Sequence, residues 1–216
     1  MTITYAYLGP RGTFSEAALL AMPESQGAEL IPATSVSTAL QLVRDDKVSG
    51  ALVPIENSVE GSVPSTLDEL SHGTPLQIVD EIAIPVQFAL LAKPGVTLAD
   101  IKRISTHPHA HAQCSGWLQN NLPDVHVLPA MSTASAAAEL GVDANYDAAI
   151  ASRNAASHYG LEILVDGIAD QDAAWTRFIL VRKPGHAQSP TGNDKTTLSL
   201  FMHEDHPGAL LEILTE

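Results

Sequence analysis

The chain has 216 residues, enough to bury a sizeable core, and its hydrophobic content of 45% excludes a disordered protein. Its 11 basic and 25 acidic residues give a net charge of −14, which argues against nucleic acid or an anionic membrane as a partner. No apolar run is long enough to span a membrane, no secretory signal follows Met1, and one cysteine, Cys114, cannot form an internal disulfide. These features predict a globular protein of the reducing cytoplasm.

The first 70 residues alternate between predicted strands and predicted helices. The strands cover residues 2–8, 29–32 and 51–55, and a helix follows each of them. Thr13 and Glu16 have the spacing of a capping box, and Ser35 is a typical cap for the second helix. This alternation predicts a parallel sheet with helices on its faces.

Residues 76–92 form a long β-prone stretch interrupted at Pro85, which we interpret as two consecutive strands that cross from one lobe to another. A second set of strands and helices follows, with a single helix predicted from Pro108 to about residue 121. The apolar strand 178–181 then returns to the first sheet. The pattern predicts an α/β protein of two lobes with a ligand cleft between them.

The end of the chain differs in composition. Residues 184–194 are rich in glycine, proline and small polar residues without periodicity, which predicts a linker. An alternating strand at 195–202 is followed by a turn into an amphipathic helix at 206–214. One strand and one helix cannot bury a core alone, so this segment is interpreted as the opening of a further domain.

The stretch around Thr176 and Arg177 is the first candidate site. It places a hydroxyl and a guanidinium in a loop at the head of the buried strand 178–181. A fixed cation beside a hydroxyl suits an anionic substrate that gains or loses a proton. An exposed strand start without a function is the alternative interpretation.

Glu56, Asn57 and Ser58 form a second candidate site, in a polar loop that follows the strand 51–55. The carboxyl ends of parallel strands are where open α/β sheets bind ligands. Three polar side chains in a row can orient a hydroxyl or a carboxylate. The same residues also suit a cap and turn for the next helix, and that alternative stays open.

Three helix starts are candidate anion-binding positions. The turn GPRGTFS at residues 9–15 contains Thr13, the segment HPHAH begins at His107, and a third helix starts at Ser132. His107 and His111 have a spacing seen in zinc sites, but no third ligand follows, so we expect no metal. Glycine-rich turns and helix caps also occur for geometry alone, which is the alternative at these positions.

Read together, these stretches resemble the prephenate dehydratase family. The matching segments are YLGPRGTFSEAA at 7–18, VPIENSVEGSV at 53–63, THPHAHAQC at 106–114 and TRF at 176–178. They occur in the order of the family and cover residues from about 5 to 181. The segment 195–214, with PGAL at 207–210, is similar to the first strand and helix of an ACT domain.

The resemblance implies a type II periplasmic-binding-protein-like catalytic domain, followed by the start of a ferredoxin-like α+β ACT domain. The implied domains are 1–183 for catalysis, 184–194 for the linker and 195–216 for a truncated ACT domain. Within the first domain, lobe one is expected at about 1–78 and 166–183, and lobe two at about 79–165. The implied reaction is the decarboxylative dehydration of prephenate to phenylpyruvate in phenylalanine biosynthesis, without a cofactor.

The resemblance also assigns residue roles. Thr176 would be the general acid, and Arg177 would hold a substrate carboxylate. The remaining substrate-binding residues would be Phe178, Glu56, Asn57, Ser58, Thr13 and His107. Phenylalanine would bind at Gly208, Ala209 and Leu210, and we expect a dimer or tetramer.

This chain departs from the family pattern at several positions. His109, His111 and Trp175 stand where Gln, Leu and Asn are more usual, and the later Glu-Ser-Arg-Pro segment of ACT domains is absent. We therefore expect phenylalanine feedback to be lost if no longer chain exists. The rival functions are a non-catalytic two-lobed protein that binds a small anion, and an amino-acid sensor.

Overall fold

The computed structural model describes residues 3–171, 174–185, 190–198, 200 and 206–215. The chain divides into two compact units, residues 1–186 and residues 187–216. The first unit contains two sheets flanked by helices. None of the helices in the described part of the chain is long and apolar enough to cross a membrane.

The strands and helices alternate along most of the first unit. In chain order the strands are β1 (Thr4–Leu8), β2 (Glu29–Ala33), β3 (Gly50–Asn57), β4 (Gly61–Ser62), β5 (Gln77–Pro85), β6 (Ala89–Ala92), β7 (Arg103–Thr106), β8 (His126–Pro129), β9 (Ala148–Ala151), β10 (Glu162–Asp166) and β11 (Trp175–Arg182). The α-helices are α1 (Phe14–Ala21), α2 (Val36–Arg44), α3 (Pro64–Ser71), α4 (Pro108–Gln113), α5 (Ser115–Asn121), α6 (Thr133–Val142), α7 (Arg153–Tyr159) and α8 (Ala209–Thr215). Short 3-10 helices lie at Pro23–Ser25 and Leu98–Asp100.

The first sheet has the strand order β2-β1-β3-β11-β5, and β4 pairs with the end of β3. Strands β1, β2 and β3 are parallel, whereas β11 runs antiparallel between β3 and β5. The second sheet has the order β10-β6-β9-β7-β8. The chain leaves the first sheet after β5 and returns to it as β11, which confirms the predicted two-lobed α/β fold.

Helices α1 and α2 form where the sequence predicts them, because both have a cap and an apolar face. The Thr13 and Ser35 hydroxyls accept the backbone N–H groups of Glu16 at 3.3 Å and Thr38 at 3.0 Å. The predicted apolar face of α2 is buried against the first sheet: Val36, Ala39, Leu40 and Val43.

The predicted single helix from Pro108 to about 121 is wrong, because the chain breaks at Cys114 into α4 and α5. The Asp170 carboxylate accepts the N–H groups of Gly116 and Trp117, each at 2.8 Å, and so caps α5 from a distant loop. A Cβ atom on Gly116 would lie 2.9 Å from Asp170 Oδ1. The break therefore depends on a contact that is remote in sequence.

Three predicted boundaries near the lobe junction need correction. Strand β3 continues through Asn57 and β11 begins at Trp175, so Glu56, Asn57, Thr176 and Arg177 belong to strands and not to loops. Residues 79–85, expected in lobe two, lie in β5 of the first sheet, paired with β11. Their backbone hydrogen bonds with β11 decide this placement.

Arg11 and Gly12 dock on the second lobe through an exposed contact at Arg11 and a buried contact at Gly12. Tyr159 Oη donates to the Arg11 carbonyl and Ser152 Oγ donates to the Gly12 carbonyl, both at 2.6 Å. A Cβ atom on Gly12 would lie 2.9 Å from the Cα of Ala155 on α7. We call this set of five residues the interlobe clamp.

In the second unit, α8 agrees with the predicted amphipathic helix. Residues 195–198 and 200 form no strand where one was predicted, and 199, 201 and 202 lie outside the described residues. Gly208 precedes α8 with φ +101, a value that glycine adopts readily. The predicted ACT domain and its phenylalanine site stay predictions.

Candidate functional site

Thr176 and Asn57 lie side by side at the junction of the two lobes. Thr176 follows the second crossing directly, and it pairs with Asn57 on β3 and with Ile84 on β5. Asn57 Nδ2 donates a hydrogen bond to Thr176 Oγ1 at 2.8 Å. Thr176 is only 8% exposed, so its hydroxyl is held in a largely dry environment.

The Asn57 amide also shapes the turn that follows β3. Its Oδ1 accepts the N–H groups of Val59 at 2.8 Å and Glu60 at 3.1 Å. These bonds to the oxygen leave Nδ2 as the group that faces Thr176. The orientation of the amide is therefore set by the backbone of the turn.

Ser58 ties the same turn to β11. Its backbone N–H donates to the Trp175 carbonyl, and its hydroxyl accepts the Trp175 N–H, each at 3.0 Å. Both groups of Ser58 are thus engaged with the strand. These contacts give Ser58 a role in holding β3 and β11 in register.

Arg177 lies between two carboxylates. Its Nη2 is 2.9 Å from Glu56 Oε2, and its Nη1 is 3.2 Å from Glu81 Oε2. Side chains alternate along a strand, so Arg177 and Thr176 point to opposite faces of the first sheet. The sequence suggested a cation beside a hydroxyl, but the strand separates the two groups.

Phe178 is a core residue. It is 2% exposed and packs with Tyr5, Tyr7 and Leu180 on the α1 side of the first sheet. The structure shows the ring enclosed by protein atoms, and its predicted role in substrate binding stays a prediction. Its contribution is to the stability of β11.

The glycine-rich turn at residues 9–12 already holds an anion, the Glu16 carboxylate. Glu16 is 4% exposed and accepts Tyr7 Oη at 2.9 Å and the Gly12 N–H at 2.6 Å. His158 Nε2 on the second lobe lies 2.8 Å from the same carboxylate. Burial and the neighbouring Glu16 raise the pKa of the Tyr7 phenol well above its usual range.

Thr13 lies beside this turn but is used as a cap. Its hydroxyl donates to the Leu8 carbonyl at 3.0 Å while it accepts the Glu16 N–H. It makes no hydrogen bond to Thr176 or Asn57. The observed role of Thr13 is therefore that of a helix cap, and its predicted role in substrate binding stays a prediction.

His107 is the N-cap of α4 in the second lobe, and its Nδ1 accepts the His109 N–H at 3.3 Å. Burial, followed by the charge of His109, lowers the pKa of His107. The ring of His109 lies edge-on to His107 at 4.9 Å and contacts the Glu60 carboxylate of the first lobe. His107 thus contacts His109, which in turn contacts the first lobe, and its predicted role in substrate binding stays a prediction.

Ser132 is occupied by a reciprocal capping box with Ser135, in which each hydroxyl accepts the N–H group of the other residue, at 2.9 and 3.0 Å. Capping is therefore the observed role of Ser132.

Among the described residues, no three histidine, cysteine, aspartate or glutamate side chains converge as metal ligands.

A cavity of about 330 Å³ lies at the end of the first sheet where β11 finishes, whereas Thr176 lies near the start of that strand. Its lining includes Tyr5, Ser49, Arg182 and Lys183. Thr176 and Arg182 are the second and last residues of β11, so they are about 20 Å apart at the usual rise of a strand. The cavity is therefore separate from the Thr176 pair.

Sequence reasoning missed Glu81, Glu16 and Asp170 as residues that organise the site. Glu81 and Asp170 act on groups that are 96 and 53 to 54 residues away. No local pattern marks such residues. The spacing of Thr13 and Glu16 marked Glu16 only as a cap residue, although its carboxylate contacts Tyr7, Gly12 and His158 instead.

The fold and the site together define a class: a two-lobed α/β protein with a hydroxyl–amide pair at the lobe junction. A family model described as prephenate dehydratase matches residues 5–186. A prephenate dehydratase of Mycobacterium marinum is 42% identical over 219 residues, which span 98% of this chain and 69% of that protein. The chain belongs to the prephenate dehydratase family.

Two solved structures extend this finding. A prephenate dehydratase from Arthrobacter aurescens in complex with L-Phe has a TM-score of 0.93 and 50% identity, covering 98% of this chain and 70% of that one. GqqA, described as a novel type of quorum-quenching acylase, has a TM-score of 0.76 and 33% identity, covering 87% and 66%. More than one activity is thus described for this fold, so the activity has to be argued from the site.

Proposed function

We propose that the chain is a carbon–oxygen lyase that converts prephenate to phenylpyruvate, water and carbon dioxide. The observation that carries the proposal is the Thr176–Asn57 pair at the lobe junction of a chain in the prephenate dehydratase family. The reaction belongs to phenylalanine biosynthesis, and we place it in the cytoplasm.

The reaction needs orientation and a proton donor. Prephenate carries two carboxylates and a ring hydroxyl, and losing carbon dioxide together with hydroxide makes the ring aromatic. The electron pair of the breaking carbon–carbon bond enters the ring as the carbon–oxygen bond breaks. A proton or a strong hydrogen bond at the leaving oxygen lowers the barrier, typically by about 10²–10⁴-fold in rate.

Thr176 is suited to this role by its bond with Asn57. Because the amide N–H donates to Oγ1, the hydroxyl hydrogen of Thr176 is free to point towards a substrate oxygen. A donated hydrogen bond also makes a hydroxyl a better donor in a dry site. The pair therefore stabilises negative charge as it develops on the leaving hydroxide.

Arg177 has a different role in our proposal from the one that the resemblance implies. Its two carboxylate partners support a positioning function, in which it joins β3, β11 and β5 beside Thr176. Glu56 belongs to the same group. Of the three consecutive polar residues at 56–58, Asn57 would be the one that faces substrate.

The test is to mix the purified protein with prephenate and follow phenylpyruvate. Thr176→Ala is expected to lower kcat by about 10²-fold or more, with a smaller effect on KM. Asn57→Asp is expected to lower kcat as well, because a carboxylate would accept the Thr176 hydroxyl hydrogen and withdraw it from the substrate. Thr176→Ser, which keeps the hydroxyl, is the matched control.

An unchanged kcat in Thr176→Ala would refute its role. If the wild-type chain binds prephenate without turnover, the non-catalytic small-anion binding protein becomes the better interpretation. We further propose a homo-oligomer, and an effect of phenylalanine that requires a complete ACT domain including Gly208, Ala209 and Leu210. The Arthrobacter aurescens relative in complex with L-Phe supports the choice of effector.

A further inference from the structure

Glu60 and His109 connect the two lobes at a second place. Glu60 lies in the turn between β3 and β4, and its carboxylate contacts Nδ1 of His109 on α4. Their side chains are 45% and 60% exposed. Contacts between exposed polar side chains are weak and exchange easily for water, so this contact can open and close.

The interlobe clamp contrasts with this pair. Ser152 is 3% exposed, Gly12 is buried, and Glu16 is 4% exposed beside them. Opening these contacts would leave buried hydrogen-bonding groups without partners, which is unfavourable. Any relative motion of the lobes is therefore easier at Glu60 and His109, with the clamp as the pivot.

Asn57 links the Glu60–His109 pair to the candidate site. Its oxygen holds the N–H of Glu60 at 3.1 Å, while its Nδ2 holds Thr176 Oγ1 at 2.8 Å. A displacement of the Glu60 turn therefore acts on the amide that orients the Thr176 hydroxyl. Small displacements of this kind alter the rate of the reaction, because catalysis depends on the position of the Thr176 hydroxyl relative to the substrate.

We propose that His109 is a positioning residue, which through Glu60 holds the lobes closed on the substrate and keeps the Asn57–Thr176 pair in its reacting geometry. The inference rests on the proposed dehydratase activity. It assigns a role to a histidine that does not touch Thr176. The pair acts as a latch between the lobes, and the substrate is enclosed when the latch is closed.

The experiment compares wild type with His109→Gln, Glu60→Gln and the double variant, using prephenate turnover and thermal denaturation. Each single variant is expected to lower kcat/KM by about two- to five-fold, the range expected for one contact between exposed polar side chains. The double variant is expected to lose no more than either single variant, because both remove one interaction. The melting temperature should stay within experimental error of the wild-type value.

His111→Gln is the matched control. His111 lies on the same helix, is exposed, and makes no side-chain hydrogen bond or ion pair with the described residues. Its substitution is expected to leave kcat/KM unchanged.

Additive losses in the double variant, or unchanged kcat/KM in His109→Gln, would overturn the positioning role while the dehydratase activity stands. A loss that follows the melting temperature would also overturn it, since the histidine would then act only on stability. A wild-type chain without turnover would overturn the proposed function and the latch together. Turnover of prephenate by the wild-type enzyme thus distinguishes a failure of the latch proposal from a failure of the proposed function.

Discussion

At the scale of single residues, adjacent positions in this site have different surroundings. Thr176 and Arg177 are neighbours in sequence, but Thr176 faces Asn57 and Arg177 faces Glu56 and Glu81. Strand alternation produces this separation once both residues belong to β11. The hydroxyl is suited to chemistry, and the guanidinium is suited to holding three strands together.

Arg177→Lys tests this division at the residue scale. A lysine provides one point charge where the guanidinium bridges two carboxylates, so one of the two pairs is lost. For a positioning residue we expect kcat to fall several-fold with little change in KM. The measurement is a steady-state comparison with Arg182→Lys, a control at the other end of β11. A large rise in KM at constant kcat would instead support contact with a substrate carboxylate.

At the scale of elements, a loop remote in sequence decides where a helix breaks. Asp170 lies between β10 and β11, yet its carboxylate caps α5. The Asp170 N–H donates in turn to the Gln113 carbonyl at 2.7 Å, at the end of α4. The segment that leads towards Thr176 is thus anchored on both sides of the break at Cys114.

Asp170→Ala is expected to destabilise the protein by about 0.5–1 kcal/mol, because two N–H groups at the start of α5 lose their acceptor. Asp170→Asn keeps an oxygen and should have a smaller effect. Urea denaturation measures the change in the free energy of unfolding. Asp124→Ala, at an exposed aspartate of the same lobe, is the control and should change stability little. Equal stability of Asp170→Ala and wild type would show that the cap is dispensable.

At the scale of the whole molecule, the interlobe clamp requires a residue without a side chain at position 12. Gly12 has φ +80, and a Cβ atom there would lie 2.9 Å from Cα and 3.0 Å from Cβ of Ala155. The turn at residues 9–12 can approach α7 this closely because position 12 is glycine. In the proposed closure, the interlobe clamp holds the lobes together while Glu60 and His109 come into contact.

Gly12→Ala is expected to destabilise the protein by about 2–4 kcal/mol, from backbone strain together with the clash against α7. Gly95→Ala is a matched control, because Gly95 has φ +84 but a Cβ atom added there would meet no other atom within 4 Å. It should carry only the backbone strain, about 1 kcal/mol. Thermal or urea denaturation measures the loss of stability in each variant, and the difference between the two losses is the contribution of the interlobe contact. Equal losses in the two variants would mean that the lobes separate without cost.

The sequence by itself determined most of the local elements and the order of the two lobes. Capping residues such as Ser35 and the apolar face of α2 act over one or two helical turns, so their pattern is visible in the chain. Similar signals predicted that the β-prone stretch divides at Pro85 into two strands and that β11 returns to the first sheet. These signals are local in sequence, which is why they could be interpreted without a structure.

Only the tertiary structure decided which residues meet. It paired Thr176 with Asn57 across 119 residues, placed Arg177 between Glu56 and Glu81, and buried Phe178 in the core. It also filled the glycine-rich turn with Glu16 and broke the helix at Cys114 through Asp170. Register between strands and contacts between lobes depend on packing over the whole chain, and no local pattern of residues specifies them.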